Sequence, residues 1–245
     1  MMRSAFGMLV MGMAVCACTT NQTPSDSPLK EEELCQEENV ETHVLHAQDV
    51  DPLSPDSVVA LLKEGNASFV HHMEHKRDAV AQLKESAHDG QHPLAIVLSC
   101  IDARVPVEII FDKGVGDIFV TRVAGNVVSP DVLGSMEYAC EHSGSKVVVV
   151  MGHKNCGAVH SACEDVQAGN MTQMLAKIKP AIQTCKEAGH EEGTDLETAV
   201  VYENVQNMIQ AVREGSAILT ELEEEGKVKI VGAVFDLETG EVEFL

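Results

Sequence analysis

The feature that most constrains this chain is an unbroken apolar run at residues 147–151, Val147-Val148-Val149-Val150-Met151, set between Lys146 and Gly152. A strand that is wet on one face alternates apolar and polar residues, whereas consecutive valines need cover on both faces. The run at residues 94–98, Leu94-Ala95-Ile96-Val97-Leu98, has the same character, and weaker strand signals lie at 117–123 and 227–235. Helical periods fall between them. Val58, Val59, Leu61, Leu62 and Phe69, continued by Val80 and Leu83, predict one or two N-terminal helices, and further helices are expected over 131–143, 157–166, 171–187 and 196–224. The turn Asp236-Leu237-Glu238-Thr239-Gly240 leads into residues 241–245 as a hairpin. Strands alternating with helices predict an α/β fold: a mostly parallel central sheet flanked by helices, with an N-terminal helical arm and a C-terminal β-hairpin.

The N-terminus has a different composition. Arg3 is followed by a short apolar run from Phe6 to Val15, interrupted by Gly7 and Gly12 and ending in Val15-Cys16-Ala17-Cys18. A bilayer span needs about 20 apolar residues, so the reading is a signal peptide over residues 1–17. The small residues before the cysteine resemble a bacterial lipobox, which makes Cys18 the expected lipidation site, with Cys16 the alternative. Such a chain is expected at the cell envelope, exported and held to the membrane by its lipid alone, facing the periplasm. Residues 18–55 read as an acidic polar tether, with Cys35, His43 and His46 as solvated linker residues. Residues 56–245 form the folded domain.

Charge narrows the partners. Asp and Glu number 39 against 17 Lys and Arg, a formal net charge of −22, and a surface of that sign repels nucleic acid. Aromatic platforms for bases or sugars are scarce, with no Trp, two Tyr and six Phe.

Two short segments carry soft metal ligands, and each follows a buried strand: Cys100-Ile101-Asp102-Ala103-Arg104 and His153-Lys154-Asn155-Cys156-Gly157. Binding crevices of open α/β sheets lie beyond the carboxyl ends of the strands. In extended backbone Cys100, Asp102 and Arg104 share a face, because side chains alternate with a period of two. His153 and Cys156, three apart around a turn, have zinc-ligand spacing, and two thiolates with an imidazole favour zinc over magnesium or calcium. Cys100 and Cys156 do not form a CxxC redox pair. Gly114-Val115-Gly116 precedes its strand, so the dinucleotide-binding fingerprint fails. His71 and His75 stand at a clamp-like i, i+4 spacing, but with Glu74, Lys76 and Arg77 beside them they read as a solvated helix face.

From about Val58 to Leu245 the chain resembles the β-class carbonic anhydrases. The resemblance rests on Leu62-Lys63-Glu64-Gly65-Asn66 with Phe69, Gly90-Gln91-His92-Pro93, the CxDxR run at 100–104, Glu108, Gly116-Asp117-Ile118-Phe119, Arg122 with Ala124-Gly125-Asn126, Gly152-His153 through Cys156-Gly157, and Gly232-Ala233-Val234-Phe235-Asp236 with Thr239-Gly240. It implies one zinc per chain on Cys100, His153 and Cys156, and reversible hydration of carbon dioxide to bicarbonate through zinc-bound hydroxide. Asp102 and Arg104 are the implied catalytic dyad, and Asp102 becomes a fourth zinc ligand in a closed state. Gln91, Phe119, Tyr138 and Gly157 are the implied substrate-binding residues. A homodimer or dimer of dimers is implied, its N-terminal helices wrapping the neighbour through Val58, Leu61, Leu62 and Phe69. Alternatives are hydrolysis of carbon disulfide or carbonyl sulfide on the same fold, and a non-catalytic envelope zinc-binding module. The chain departs from the family pattern at Ala103 (usually Ser), Val123 (usually Asn) and Ser68 (usually Arg), removing polar groups that can support the site. Among Cys35, Cys140, Cys163 and Cys185 three disulfide pairings are open, and no spacing selects one.

Overall fold

The computed structural model describes residues 40–245; the expected signal peptide, Cys16, Cys18, Cys35 and the expected tether up to residue 39 lie outside the described residues. A five-stranded sheet holds β1 (Ala95–Ser99), β2 (Ile118–Arg122), β3 (Val147–His153), β4 (Lys229–Phe235) and β5 (Val242–Phe244) in the order β2-β1-β3-β4-β5. The first four strands are parallel, and β5 returns antiparallel on β4 as the expected hairpin.

The valine run shows why both faces need cover. Val148 and Val150, with Ile96, Leu98, Ile230 and Val234, point into one core, while Val147, Val149 and Met151, with Ala95, Val97, Ala233 and Phe235, point into the other. Helix α9 (Thr194–Gly215) covers the first core through Val201, Val205 and Ile209. It comes close because Gly152 and Gly232 lack side chains: an added Cβ would lie 2.9 and 2.8 Å from Val205. On the second face lie α2 (Pro55–Val70) and the short α4 (Val107–Ile110), which the sequence periods did not suggest. Ser54 caps α2 by accepting from the Ser57 amide at 3.2 Å, and Pro55 opens its first turn.

The remaining helices are α3 (Ala79–Asp89), α5 (Pro130–Glu137), α6 (Gly157–Cys163), α7 (Gly169–Leu175), α8 (Lys179–Glu187) and α10 (Ala217–Glu224), and a short α1 (Ala47–Val50) precedes α2. Two expected long helices are each split. Ser216 is extended and caps α10, accepting from the Leu219 amide at 3.2 Å, so residues 196–224 cannot run as one helix. Residues 171–187 break before Pro180, which occupies the first turn of α8.

Four expectations change. Residues 40–55 do not continue the tether: Val44 and Val50 are buried, and Glu41 bridges to the 76–78 segment through amide–carbonyl bonds of 2.7 and 3.0 Å. Helix α2 ends at Val70, so His71 and His75 share no helix face; the His75 ring instead meets buried Asp112 at 2.6 Å. Arg77 also pairs with Asp112, and donates to its carbonyl oxygen at 2.8 Å. Val80 and Leu83 face outward on α3, because its inward position is taken by buried Gln82, which donates to the His43 carbonyl at 2.9 Å and accepts from the Val115 amide at 3.2 Å. Val58 and Leu62 are fully covered within the chain, and Asn66 fastens α2 to the hairpin, donating to Gly240 O at 2.9 Å and accepting from the Val242 amide at 2.8 Å. Leu61 and Phe69, the other two residues expected to face a neighbour, are half-buried. Among the described residues no disulfide forms, so Cys140, Cys163 and Cys185 do not pair with one another.

Candidate metal centre

β1 and β3 are parallel neighbours paired through Leu98 and Val150, so their carboxyl ends open on the same side of the sheet. Cys100 follows β1, and His153 is the last residue of β3. The chain then turns through Asn155, whose φ of 55° suits an Asn, and returns Cys156 to the start of α6. The Cys100 and Cys156 sulfurs and one His153 nitrogen lie within 4.8 Å of one another, and all three residues are buried.

His153 carries the decisive polarity. Its Nδ1 lies 2.9 Å from the Lys154 carbonyl oxygen, which can only accept, so Nδ1 bears the hydrogen and Nε2 keeps its lone pair. That Nε2 is buried and, among the described residues, has no hydrogen-bond partner. A buried acceptor beside two thiols is costly unless a metal takes it. The donor set fits zinc. The two thiols are unlike: the Cys100 thiol is held well below the ordinary range by its hydrogen bond with Cys156, which outweighs burial, whereas the Cys156 thiol is pushed up by the Cys100 thiolate and by burial. The Gly125 amide donates to the Cys100 sulfur at 3.4 Å. Gly125 has φ 70°, and a Cβ there would come within 2.7 Å of Ile178 Cδ1, so this donor position requires glycine.

Asp102 sits at the rim. Its Oδ1 accepts from the Arg104 amide and from Nε, both at 2.9 Å, and its Oδ2 accepts from Arg104 Nη2 at 2.7 Å. This two-pronged grip holds the carboxyl far below the usual carboxylate range. Asp102 Oδ2 approaches His153 Nε2 to 3.8 Å, which places the carboxylate beside the ligand cluster. Arg104 Nη2 also reaches the Asn155 carbonyl at 3.3 Å and ties the two ligand loops together.

Arg122 has a function that its place in the motif did not disclose. It donates to the Cys100 carbonyl at 2.9 Å and to the Asp102 carbonyl, and so shapes the loop carrying Cys100, Asp102 and Arg104. The usable signal was position: an Arg closing β2, paired with Ser99 of β1, must lie beside the loop that follows. Gly125 and the Lys154 carbonyl act through backbone atoms and carry no side-chain signal. Ala103 is exposed on the loop, and Val123 packs against the core instead of offering an amide.

A cavity of about 440 Å³ touches the cluster through Cys100 and Asp102, with Gly157 at its lip and Ala124, Met171 and Leu175 among its walls. The other expected substrate residues lie elsewhere in the single chain. Phe119 and Tyr138 stack edge to face at 6.3 Å in a separate cavity on the exposed side of β2, and Gln91 is exposed in the loop before β1.

The carbonic anhydrase family profile matches residues 95–242, a span that takes in Cys100, Asp102, Arg104, His153 and Cys156. The chain belongs to the β-class carbonic anhydrases. It is 32% identical over 192 residues to carbonic anhydrase 2 of Mycobacterium tuberculosis, covering 76% of this chain and 91% of the relative. It is 34% identical over 198 residues to the carbonic anhydrase of Mycolicibacterium smegmatis, covering 78% and 93%. Among solved structures, a tetrameric β-carbonic anhydrase of Sordaria macrospora is similar with a TM-score of 0.62 and 26% identity, over 78% of this chain and 97% of that one. The Coccomyxa β-carbonic anhydrase in complex with acetazolamide is similar with a TM-score of 0.58 and 25% identity, over 66% and 80%. Carbon dioxide hydration is the reaction of this family.

Proposed function

We propose that Cys100, His153 and Cys156 hold one zinc ion per chain, and that this centre with Asp102 and Arg104 interconverts carbon dioxide and bicarbonate. The observation that carries the reading is the orphaned, buried Nε2 of His153 beside two cysteine sulfurs. When bound, zinc supplies the Lewis acidity that makes water a nucleophile near neutral pH. The chain's own residues supply aim. Asp102, kept ionised by Arg104, accepts a hydrogen bond from the attacking water and points the oxygen's remaining lone pair at the substrate carbon. Ala124, Met171 and Leu175 offer an apolar wall to a neutral linear molecule and exclude bulk water from it. Water adds to carbon dioxide to give bicarbonate, and one proton leaves to solvent. Were Asp102 to serve as a fourth ligand in a closed state, its side-chain bonds to Arg104 would have to break. Stopped-flow hydration of carbon dioxide by the zinc-loaded full chain, run beside carbon disulfide, tests the reading. Zinc-dependent hydration without turnover of carbon disulfide is expected; turnover of the disulfide alone, or of neither, overturns it.

The proposed assembly is at least a dimer. β2 is an edge strand, and Tyr138, Ile109 and Ile101 are more than half exposed although large and apolar. A second copy is also what would bring Phe119, Tyr138 and Gln91 to a site they do not reach in their own chain.

The proposed location is the cell envelope, with acyl chains on Cys18. This rests on the apolar run and the small residues before that cysteine. Among the described residues no helix is long and apolar enough to cross a membrane. Cys18→Ser is expected to release the protein from the membrane fraction; a variant that still sediments with membranes and takes up labelled fatty acid contradicts the assignment.

A further inference from the structure

His43, His46 and Glu85 lie away from the catalytic cluster, and they converge. One donor atom from each lies within 4.8 Å of the others. His46 Nε2 and Glu85 Oε1 are already 3.4 Å apart. Four-coordinate zinc with bonds of about 2.0–2.2 Å places its ligand atoms roughly 3.3–3.6 Å from one another, so this pair has ligand spacing as it stands. The third donor would close by rotation of the His43 side chain, which is 57% exposed and stands 3.6 Å from Asp49 Oδ2 through its Nε2.

The backbone beneath the cluster is fixed on both sides. Buried Gln82 on α3 bonds the His43 carbonyl at 2.9 Å, and Glu85 stands one turn further along the same helix. Val44, between the histidines, is buried and anchors the segment. Asp49 Oδ2 accepts from the His46 amide at 3.0 Å and lies 3.6 Å from His43 Nε2, where it can orient that ring or serve as a fourth ligand.

We infer that His43, His46 and Glu85 form a second metal site, for a divalent transition ion of the zinc, nickel and copper class. Two imidazoles and a carboxylate suit such an ion, whereas magnesium and calcium prefer an all-oxygen shell. The ion would strap the 43–49 segment onto α3, where Gln82 is the polar link already present. It takes no part in hydration and does not depend on the catalytic reading.

Equilibrium dialysis of the full chain against zinc, followed by elemental analysis, tests this. Wild type is expected to hold one zinc more than the His43→Ala/His46→Ala double variant, and that difference is expected to persist in a Cys156→Ala background. Glu85→Gln keeps the side-chain shape but removes the charge, and is expected to bind the extra zinc more weakly. Both histidines are partly exposed, so the double variant is expected to keep wild-type hydration, which verifies its fold. If it retains the same zinc count as wild type, or if wild type holds no zinc beyond the equivalent lost in Cys156→Ala, the site does not exist.

Discussion

At His153 the position of one proton decides what the site can bind. A hydrogen on Nε2 would leave no ligand lone pair; the Lys154 carbonyl at 2.9 Å keeps the hydrogen on Nδ1 and presents Nε2 to the cysteines. Arg104 does the comparable service for Asp102. Its guanidinium is more than half exposed, so its worth lies in aim more than in ion-pair stability. Arg104→Ala is therefore expected to leave zinc content and fold unchanged while lowering kcat for hydration about a hundredfold, the scale associated with a misplaced reacting group. Arg104→Lys is expected to recover only part, since an ammonium cannot grip both carboxylate oxygens in a fork. Hydration at the wild-type rate in Arg104→Ala would show that Asp102 needs no positioning. The clustering of Cys100, His153 and Cys156 and the pairing of Asp102 with Arg104 were legible because their chemistry resides in side chains at fixed spacing after buried strands. Gly125 and the Lys154 carbonyl were not, since a backbone donor or acceptor looks the same at every position.

At the scale of elements, the strands were the most legible part. Consecutive β-branched residues that must be covered on both faces admit few arrangements, and the runs at 94–98 and 147–151 became the adjacent central strands β1 and β3. The failures came where polar bonds, not apolar period, hold a segment. α3 buries Gln82 and turns Val80 and Leu83 to solvent, so its hydrophobic spacing pointed to the wrong face. Residues 40–55 looked like tether because Val44 and Val50 are isolated in polar sequence, yet the carbonyl of His43 and both backbone groups of Glu41 find partners on other elements. The break at Ser216 was hidden because Ala217, Ile218 and Leu219 continue the apolar run while the backbone does not continue the helix.

For the whole molecule, the charge of −22 leaves the approach of neutral carbon dioxide untouched and repels the bicarbonate anion, which favours its release and opposes its entry in the reverse direction. The same charge opposes self-association, so assembly must draw on apolar contact at the exposed β2 edge. Light scattering at micromolar concentration is expected to give at least a dimer, with Tyr138→Glu shifting it toward monomer; a monomeric wild type would refute the assembly. The central claim is narrower: one zinc, held by Cys100, His153 and Cys156, is the source of the hydration activity. The most direct measurement is zinc content and carbon dioxide hydration, taken together on wild type and Cys156→Ala. The predicted result is the loss of one zinc equivalent, with hydration falling to the uncatalysed rate. Full zinc-dependent hydration in the variant would contradict the account.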